Sequence, residues 1–402
     1  MTNSRLRTAT IAILKLGVVT GLLWYLVTTG KLRWKYLRVP KGNFEYIILA
    51  IAMILAVYTI GFIRFKYVLK GADVHISYLA SFRIGSIGAL FTLFALGLLT
   101  GDAARLTYLI KETGKRAGAV AGLMVDRFLG LLGLLTVSGL TLLLNWQTVL
   151  DTPHLHTMSL AITGLFVGIG FSGFIVLVSL TRGRRSAGVL WLALSVGTTV
   201  LLWWLFSRQG LSYTNTGRDV SLPTLLRGRL LMVMGADFIV ALVCLLIAPE
   251  LTHQGAIGSF ISRRVPLGDK LMSLLNSLLN YRGHFVRLLG CLFMSVCIHT
   301  LLLGTLFVLS RAVDLDPAPT AGQVFFAGAP SYVAGTMPLP VGALGVGETI
   351  FDYLLSHCKI DGRMVKGGAG IFLLGRGWRL LLAVLMGAPF YVINSRSRKH
   401  SV

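Results

Sequence analysis

The chain has 402 residues, 55% of them hydrophobic and only 13% charged, against about 25% charged in an ordinary soluble domain. Its net charge of +23 sits in short loops beside apolar runs, the pattern of membrane anchoring and anionic headgroups rather than of nucleic acid. Together these exclude a soluble globular protein, and they argue against a nucleic-acid partner.

The first apolar run, Ile11–Thr29, is too long for a signal-peptide core and lacks a small-residue cleavage site after it, so it reads as a membrane anchor. Lys31–Asn43 follows as an amphipathic segment on the outer interface, with Trp34 and Tyr36 as aromatic anchors. Tyr46–Ile63 is a span. Arg64, Lys66 and Lys70 end it and are expected to be interfacial anchors, with Arg64 also placed where a headgroup would enter.

Leu79–Leu99 does not read as a full span. Crossing there would put the uncharged-to-acidic loop Asn145–Thr157 inside and the Arg182, Arg184, Arg185 cluster outside, against the positive-inside bias. The charges agree if this segment enters partway, turns at Thr100-Gly101-Asp102 and returns on Ala103–Thr113. Arg83 and Arg105 then lie along the path of an entering headgroup. Ala117–Leu144 crosses next, carrying Asp126 and Arg127, with Asp126 expected to face backbone or a nearby arginine.

Leu160–Thr181 is a further span, and Val189–Phe206 and Leu230–Ala248 form an additional pair within about residues 187–248. Asp237 in that pair has no evident partner. The polar stretch Pro249–Arg287 is shorter than the ~50 residues of a small domain, so no soluble catalytic domain fits between spans. Leu288–Leu309 crosses again. Ala321–Thr336 then enters partway, Met337-Pro-Leu-Pro-Val-Gly-Ala-Leu-Gly-Val-Gly-Glu348 makes the turn, and Gly347–His357 returns. Ile371–Ile393 is the last span, and Arg396, Arg398 and Lys399 hold the tail in the cytoplasm. The expected fold is an all-α polytopic membrane protein of about eight transmembrane helices plus two re-entrant helical hairpins. Residues 1–402 form one domain, with both termini cytoplasmic and the cytoplasmic (inner) membrane as its site.

The hairpins belong to two similar units, about 46–144 and 288–394. Val68-Leu-Lys-Gly-Ala-Asp-Val74 precedes the first and Val308-Leu-Ser-Arg-Ala-Val-Asp314 the second. Each unit then carries a glycine break with an acid, a glycine-studded span and an arginine: Asp102 and Arg127, then Glu348 and Arg376. By the charge trace the units enter from opposite sides, as inverted-topology repeats.

At these residues the chain resembles the lysylphosphatidylglycerol synthase transmembrane-region family, the flippase-like membrane half of multiple-peptide-resistance factors. The Pro338–Glu348 turn carries the likeness most specifically, followed by Gly101-Asp-Ala-Ala-Arg105, Asp126-Arg127-Phe-Leu and Arg376. Gly347, the additional helix pair and the absence of a soluble aminoacyl-transfer domain depart from the family pattern, and the last argues against lipid aminoacylation. The resemblance implies a flippase-like fold and a lipid substrate.

A lone charge at mid-bilayer costs at least ~2.5–3.5 kcal/mol, so Asp102, Arg127, Glu348 and Arg376 call for partners or a wet cavity. The expected site uses Arg127, Arg376 and the broken-helix N-termini at Gly101, Gly345 and Gly347 to hold a lipid phosphate, with Asp102 and Glu348 balancing the arginines. The expected function is transport of an anionic phospholipid or a polyprenyl-phosphate-linked glycolipid between leaflets, without catalysis, cofactor or metal. The alternatives are a lipid-modifying transferase using Asp102 or Glu348 as base, and a scaffold partnering a separate lipid synthase. Asp314-Leu-Asp316 reads as a turn, His154 and His156 as a solvated loop, and Cys244, Cys291, Cys297 and Cys358 as plain thiols.

Overall fold

The computed structural model describes residues 39–92, 98–145, 284–313, 315–335, 344–360 and 363–399, with residue 28, a few positions between 273 and 281, and the short strands Ser212–Asn215 and Arg218–Ser221. The spans expected at Ile11–Thr29, Leu160–Thr181, Val189–Phe206 and Leu230–Ala248 lie outside the described residues. So do most of Lys31–Asn43, the loop beyond Asn145 and the Arg182 cluster.

Eight helices make up the described region: α1 (Phe44–Gly71), α2 (Tyr78–Phe91), α3 (Leu98–Thr113), α4 (Arg116–Leu144), α5 (Phe285–Ala312), α6 (Ala321–Gly335), α7 (Val346–His357) and α8 (Gly368–Lys399). Two short antiparallel ribbons accompany them, Ser212–Asn215 with Arg218–Ser221 and Lys359–Ile360 with Arg363–Met364. Four stretches are long and apolar enough to cross a membrane: Phe44–Gly71, Arg116–Thr141, Val286–Ala312 and Gly368–Ile393. These are four of the expected spans. Their outward faces stay apolar, as at Ile48, Val286 and Phe293, because lipid rather than water is the solvent there.

The other four helices have 14, 16, 15 and 12 residues. At 1.5 Å per residue each is shorter than the ~30 Å hydrocarbon core. They pack as two antiparallel pairs. In α2/α3, Gly88 meets Arg105 and the Phe91 carbonyl accepts from Thr100 Oγ1 at 2.7 Å. In α6/α7, Gly347 approaches Ser331 and Gly328 approaches Phe351. Local caps start these helices. Ser77 Oγ accepts from the Ala80 N–H at 3.0 Å, and Thr320 and Gln323 exchange hydrogen bonds as a capping box.

The first pair differs from the sequence expectation. Thr100-Gly101-Asp102 is not the turn: it lies inside α3, which starts at Leu98. Gly101 is there for close approach, since a Cβ would stand 2.5 Å from Thr92 Cγ2 and 2.7 Å from the Gly88 carbonyl oxygen. The second pair forms where the sequence placed it, between Ala321–Gly335 and Val346–His357.

Helices α1 and α5 both have 28 residues and run antiparallel, with Gly61 facing Ile298, Gly304 facing Met53, and Asn43 Nδ2 donating to the Arg311 and Ala312 carbonyls at 3.4 Å. Each is shared between two cores. The early part of α1 (Ile47, Ala50) packs with α5, α6, α7 and α8, while its later part (Phe65, Val68, Leu69) packs with α2, α3, α4 and the start of α5 (Leu288, Cys291). The cross-contacts are reciprocal. Tyr332 and Val333 of α6 pack on Leu134 and Leu135 of α4. Phe390 of α8 meets Phe82 of α2 in an edge-to-face ring contact at 5.8 Å. Exchanging α1 with α5, α2 with α6, α3 with α7 and α4 with α8 therefore maps these contacts onto one another. In the loop after α1, the Lys115 ammonium 2.7 Å from Asp73 holds that carboxyl below the usual carboxylate range.

The α8–α2 contact depends on a glycine. A Cβ on Gly387 would lie 2.5 Å from the Ser86 carbonyl oxygen and 2.7 Å from Leu90 Cβ. Gly387→Ala is expected to force the helices apart and cost about 1–3 kcal/mol, read as a lowered melting temperature. Gly377→Ala, with nothing within 4 Å, is the neutral control.

Candidate functional site

The acids and arginines singled out in the sequence come together within each unit. Asp102, in the first turns of α3, accepts a 3.0 Å hydrogen bond from Arg127 Nε of α4, and Arg127 Nη2 contacts the same oxygen. Both side chains are partly accessible.

Glu348 occupies the corresponding place at the start of α7. Gly345, the N-cap of that helix, has φ +91°, a left-handed conformation that a side chain would strain. Its N–H donates to Glu348 Oε2 at 2.7 Å. The other oxygen, Oε1, lies 3.3 Å from Arg376 Nη1 of α8, but the two are not aligned as a hydrogen bond. The geometry makes Glu348 a helix cap first and a counter-charge to Arg376 second. Gly347 gives α7 room: a Cβ would stand 2.8 Å from Phe372 Cε1.

Asp126 and Arg64 form a further pair. Arg64 Nε and Nη2 lie 3.0 Å from Asp126 Oδ1, and Arg64 Nη1 donates to Ser295 Oγ at 2.7 Å. Asp126 thus faces an arginine, one of the two surroundings expected for it. Arg64 corrects the sequence reading: it is buried between α1, α4 and α5 rather than anchored at an interface. A span-end arginine points inward here because Asp126 offers it a counter-charge and Gly130 leaves room for its guanidinium, 3.4 Å from where a Cβ would be.

Of the other entry residues, Arg83 pairs with Glu112 at 2.5 Å and is one-third exposed, holding the open end of the α2/α3 pair. Arg105 runs past Gly88 with its guanidinium 5.9 Å from the Phe65 ring, and its buried Nε has no hydrogen-bond partner.

Arg379 is the residue the sequence reading passed over. It lies one turn beyond Arg376, with its guanidinium 5.0 Å from the Tyr332 ring and its buried Nε unpartnered. Its carbonyl accepts from Tyr58 Oη at 3.0 Å. The signal was present in Arg376-Gly-Trp-Arg379, two arginines at i, i+3 on an apolar span. Elsewhere, Asp352 caps α8 by accepting from the Ala369 N–H at 3.2 Å, Asp316 pairs with Arg363 at 3.2 Å, and Cys358 is buried beyond the end of α7. Among the described residues no group of three metal-ligating side chains forms.

A family model described as Lysylphosphatidylglycerol synthase TM region matches residues 12–387, nearly the whole chain. No curated protein and no solved structure matches it.

Proposed function

The chain belongs to the lysylphosphatidylglycerol synthase transmembrane-region family, which gives it a membrane, lipid-related role, and from that premise we propose that it moves an anionic or phosphate-linked lipid between leaflets of the cytoplasmic membrane without changing it covalently. The observation that carries this reading is the doubled pair, Asp102 with Arg127 and Glu348 with Arg376. Each joins the second helix of a short antiparallel pair to the long helix that follows.

The two units are proposed to be inverted repeats. Their first helices, α1 and α5, are neighbours and antiparallel, so an axis exchanging them lies across the helices rather than along them. In transporters such repeats place a substrate site at their interface, built from helices that stop inside the membrane. The two short pairs are proposed to be re-entrant, with α3 and α7 turning their N-terminal, electropositive ends toward the site. Asp102 and Glu348 hold the arginines while no lipid is bound. A lipid phosphate then replaces them, offering more oxygens to the same guanidinium groups.

Vesicle reconstitution tests the reading. The purified chain is expected to transfer a fluorescent anionic phospholipid across the bilayer at unchanged mass, and a zwitterionic one less well. Arg127→Ala or Arg376→Ala should slow transfer by about tenfold, the loss of one charge-assisted contact. A mass change in the recovered lipid would favour a transferase. No transfer of any phospholipid by folded protein would favour a scaffold for a separate lipid synthase.

A further inference from the structure

The arginines outnumber their counter-charges. Arg64, Arg105 and Arg127 lie in one electrostatic neighbourhood with Asp102 and Asp126, and Arg376 and Arg379 lie in another with Glu348. The two neighbourhoods adjoin: Tyr58 donates to the Arg379 carbonyl at 3.0 Å and stacks on Phe62, and Phe62 packs on Gly85, one turn before the Gly88 that Arg105 crosses. Five guanidinium groups against three carboxylates leave at least two positive charges, before Arg287, which lies near Cys291 with Arg64 and Asp126, is counted. Asp352 is left out of this count because it sits at the N-terminus of α8, accepting from the Ala369 N–H, and acts on neither Arg105 nor Arg376. Among the described residues, the arginines of this set in no ion pair are Arg105 and Arg379, one from each unit. Each has a buried Nε with no hydrogen-bond partner and an aromatic ring beside its guanidinium. Buried donors without partners are costly, and an arriving acceptor would remove that cost.

Resting on the reading of this interior as a lipid-headgroup site, we infer that Arg105 and Arg379 select a headgroup carrying two negative charges, a phosphomonoester or a diphosphate, over a singly charged phosphodiester. They also select against the lysyl ester of phosphatidylglycerol named in the family description. That lipid brings two amines and one phosphate, so it adds positive charge to an interior already at least two charges in excess. A dianion offsets two of those charges, and a phosphodiester offsets one. Cation-facing rings at Phe65 and Tyr332 hold the two guanidinium groups while the site is empty.

Equilibrium binding to the full chain in detergent tests this, with phosphatidic acid, phosphatidylglycerol and lysylphosphatidylglycerol of identical acyl chains as probes. Phosphatidic acid is expected to bind about tenfold more tightly than phosphatidylglycerol, and lysylphosphatidylglycerol most weakly. In the double variant Arg105→Gln/Arg379→Gln the three should bind alike to within about twofold. Arg105→Lys/Arg379→Lys should keep the order, because the charges remain. A melting curve on each variant separates lost recognition from lost fold. Inorganic diphosphate is run beside the lipids: weaker binding than phosphatidic acid supports a lipid headgroup, and equal or tighter binding overturns it in favour of a free anion. Lysylphosphatidylglycerol binding as tightly as phosphatidic acid would overturn the inference. So would an unchanged order in the folded glutamine double variant. Vesicle transfer on the same protein keeps the two readings apart. Transfer without the charge order sinks the inference and leaves transport standing, and the charge order without transfer does the reverse.

Discussion

Glu348→Gln is expected to destabilise the protein by about 3–5 kcal/mol, the cost of leaving one partner of a buried ion pair without the other. The substitution isolates charge from shape. A glutamine carbonyl can still accept from the Gly345 N–H, which Glu348 does at 2.7 Å, so the α7 cap survives. What disappears is the negative charge facing Arg376 at 3.3 Å, in a place where the glutamate side chain is 1% exposed and the arginine 12%. Arg376 then keeps the repulsion of Arg379, one turn on, without the carboxylate that offset it. Adding Arg376→Gln should recover a large part of the loss. Glu348→Ala should be worse than Glu348→Gln by about 1 kcal/mol, because it removes the cap as well. Melting temperatures in a fixed detergent read all three. A double variant no better than Glu348→Gln alone would show that the 3.3 Å contact is not an energetic pair, and Glu348 would then be the cap alone.

The second large effect is expected at Asp126. Arg64→Met leaves the Asp126 carboxylate, 2% exposed, with no cation in contact, and the expected cost is again about 3–5 kcal/mol. Ser295 Oγ, which now accepts from Arg64 Nη1 at 2.7 Å and donates to the Cys291 carbonyl at 2.9 Å, loses its donor as well. The triad joins α1, α4 and α5, so its loss should loosen the seam between the units rather than one helix end. The paired replacement Arg64→Met/Asp126→Leu should be far milder, because it removes both charges together and fills the space with apolar atoms. If Arg64→Met alone proves neutral in melting experiments, water reaches this triad.

The two clusters differ in accessibility and in how their carboxylates are engaged. Arg64 contacts Asp126 and Ser295 through all three of its nitrogens, which ties α1 to α4 and α5. Arg127 and Asp102 are both partly accessible, and Arg376 is met by a carboxylate already engaged as a cap. On the transport reading proposed above, these pairs, not Arg64, are the ones exchanged for a lipid phosphate.

Much of the protein is determined by sequence alone. Apolar length specifies α1, α4, α5 and α8, because a run of that length has no other way to satisfy its backbone in lipid. Pro338, Pro340, Gly342 and Gly345 specify the break between α6 and α7, since two prolines two residues apart each remove a helical N–H and crowd the preceding turn. Asp102, Arg127, Glu348 and Arg376 are legible because charges are costly in apolar surroundings wherever they fall.

The tertiary structure decided the rest. Gly101 looks like a turn, but it is a helical glycine pressed against the Gly88 carbonyl, and only the neighbouring helix distinguishes the two. Arg64 has the local sequence of an interfacial anchor, and its partner lies 62 residues away. Whether a long cationic side chain extends to water or turns inward depends on what the facing helices present. Here they present Asp126, Ser295 and the open space beside Gly130 to Arg64, while among the described residues Arg105 and Arg379 form no ion pair and have an aromatic ring beside the guanidinium. Ion pairing at these distances is a property of packed helices, and no single apolar run contains it.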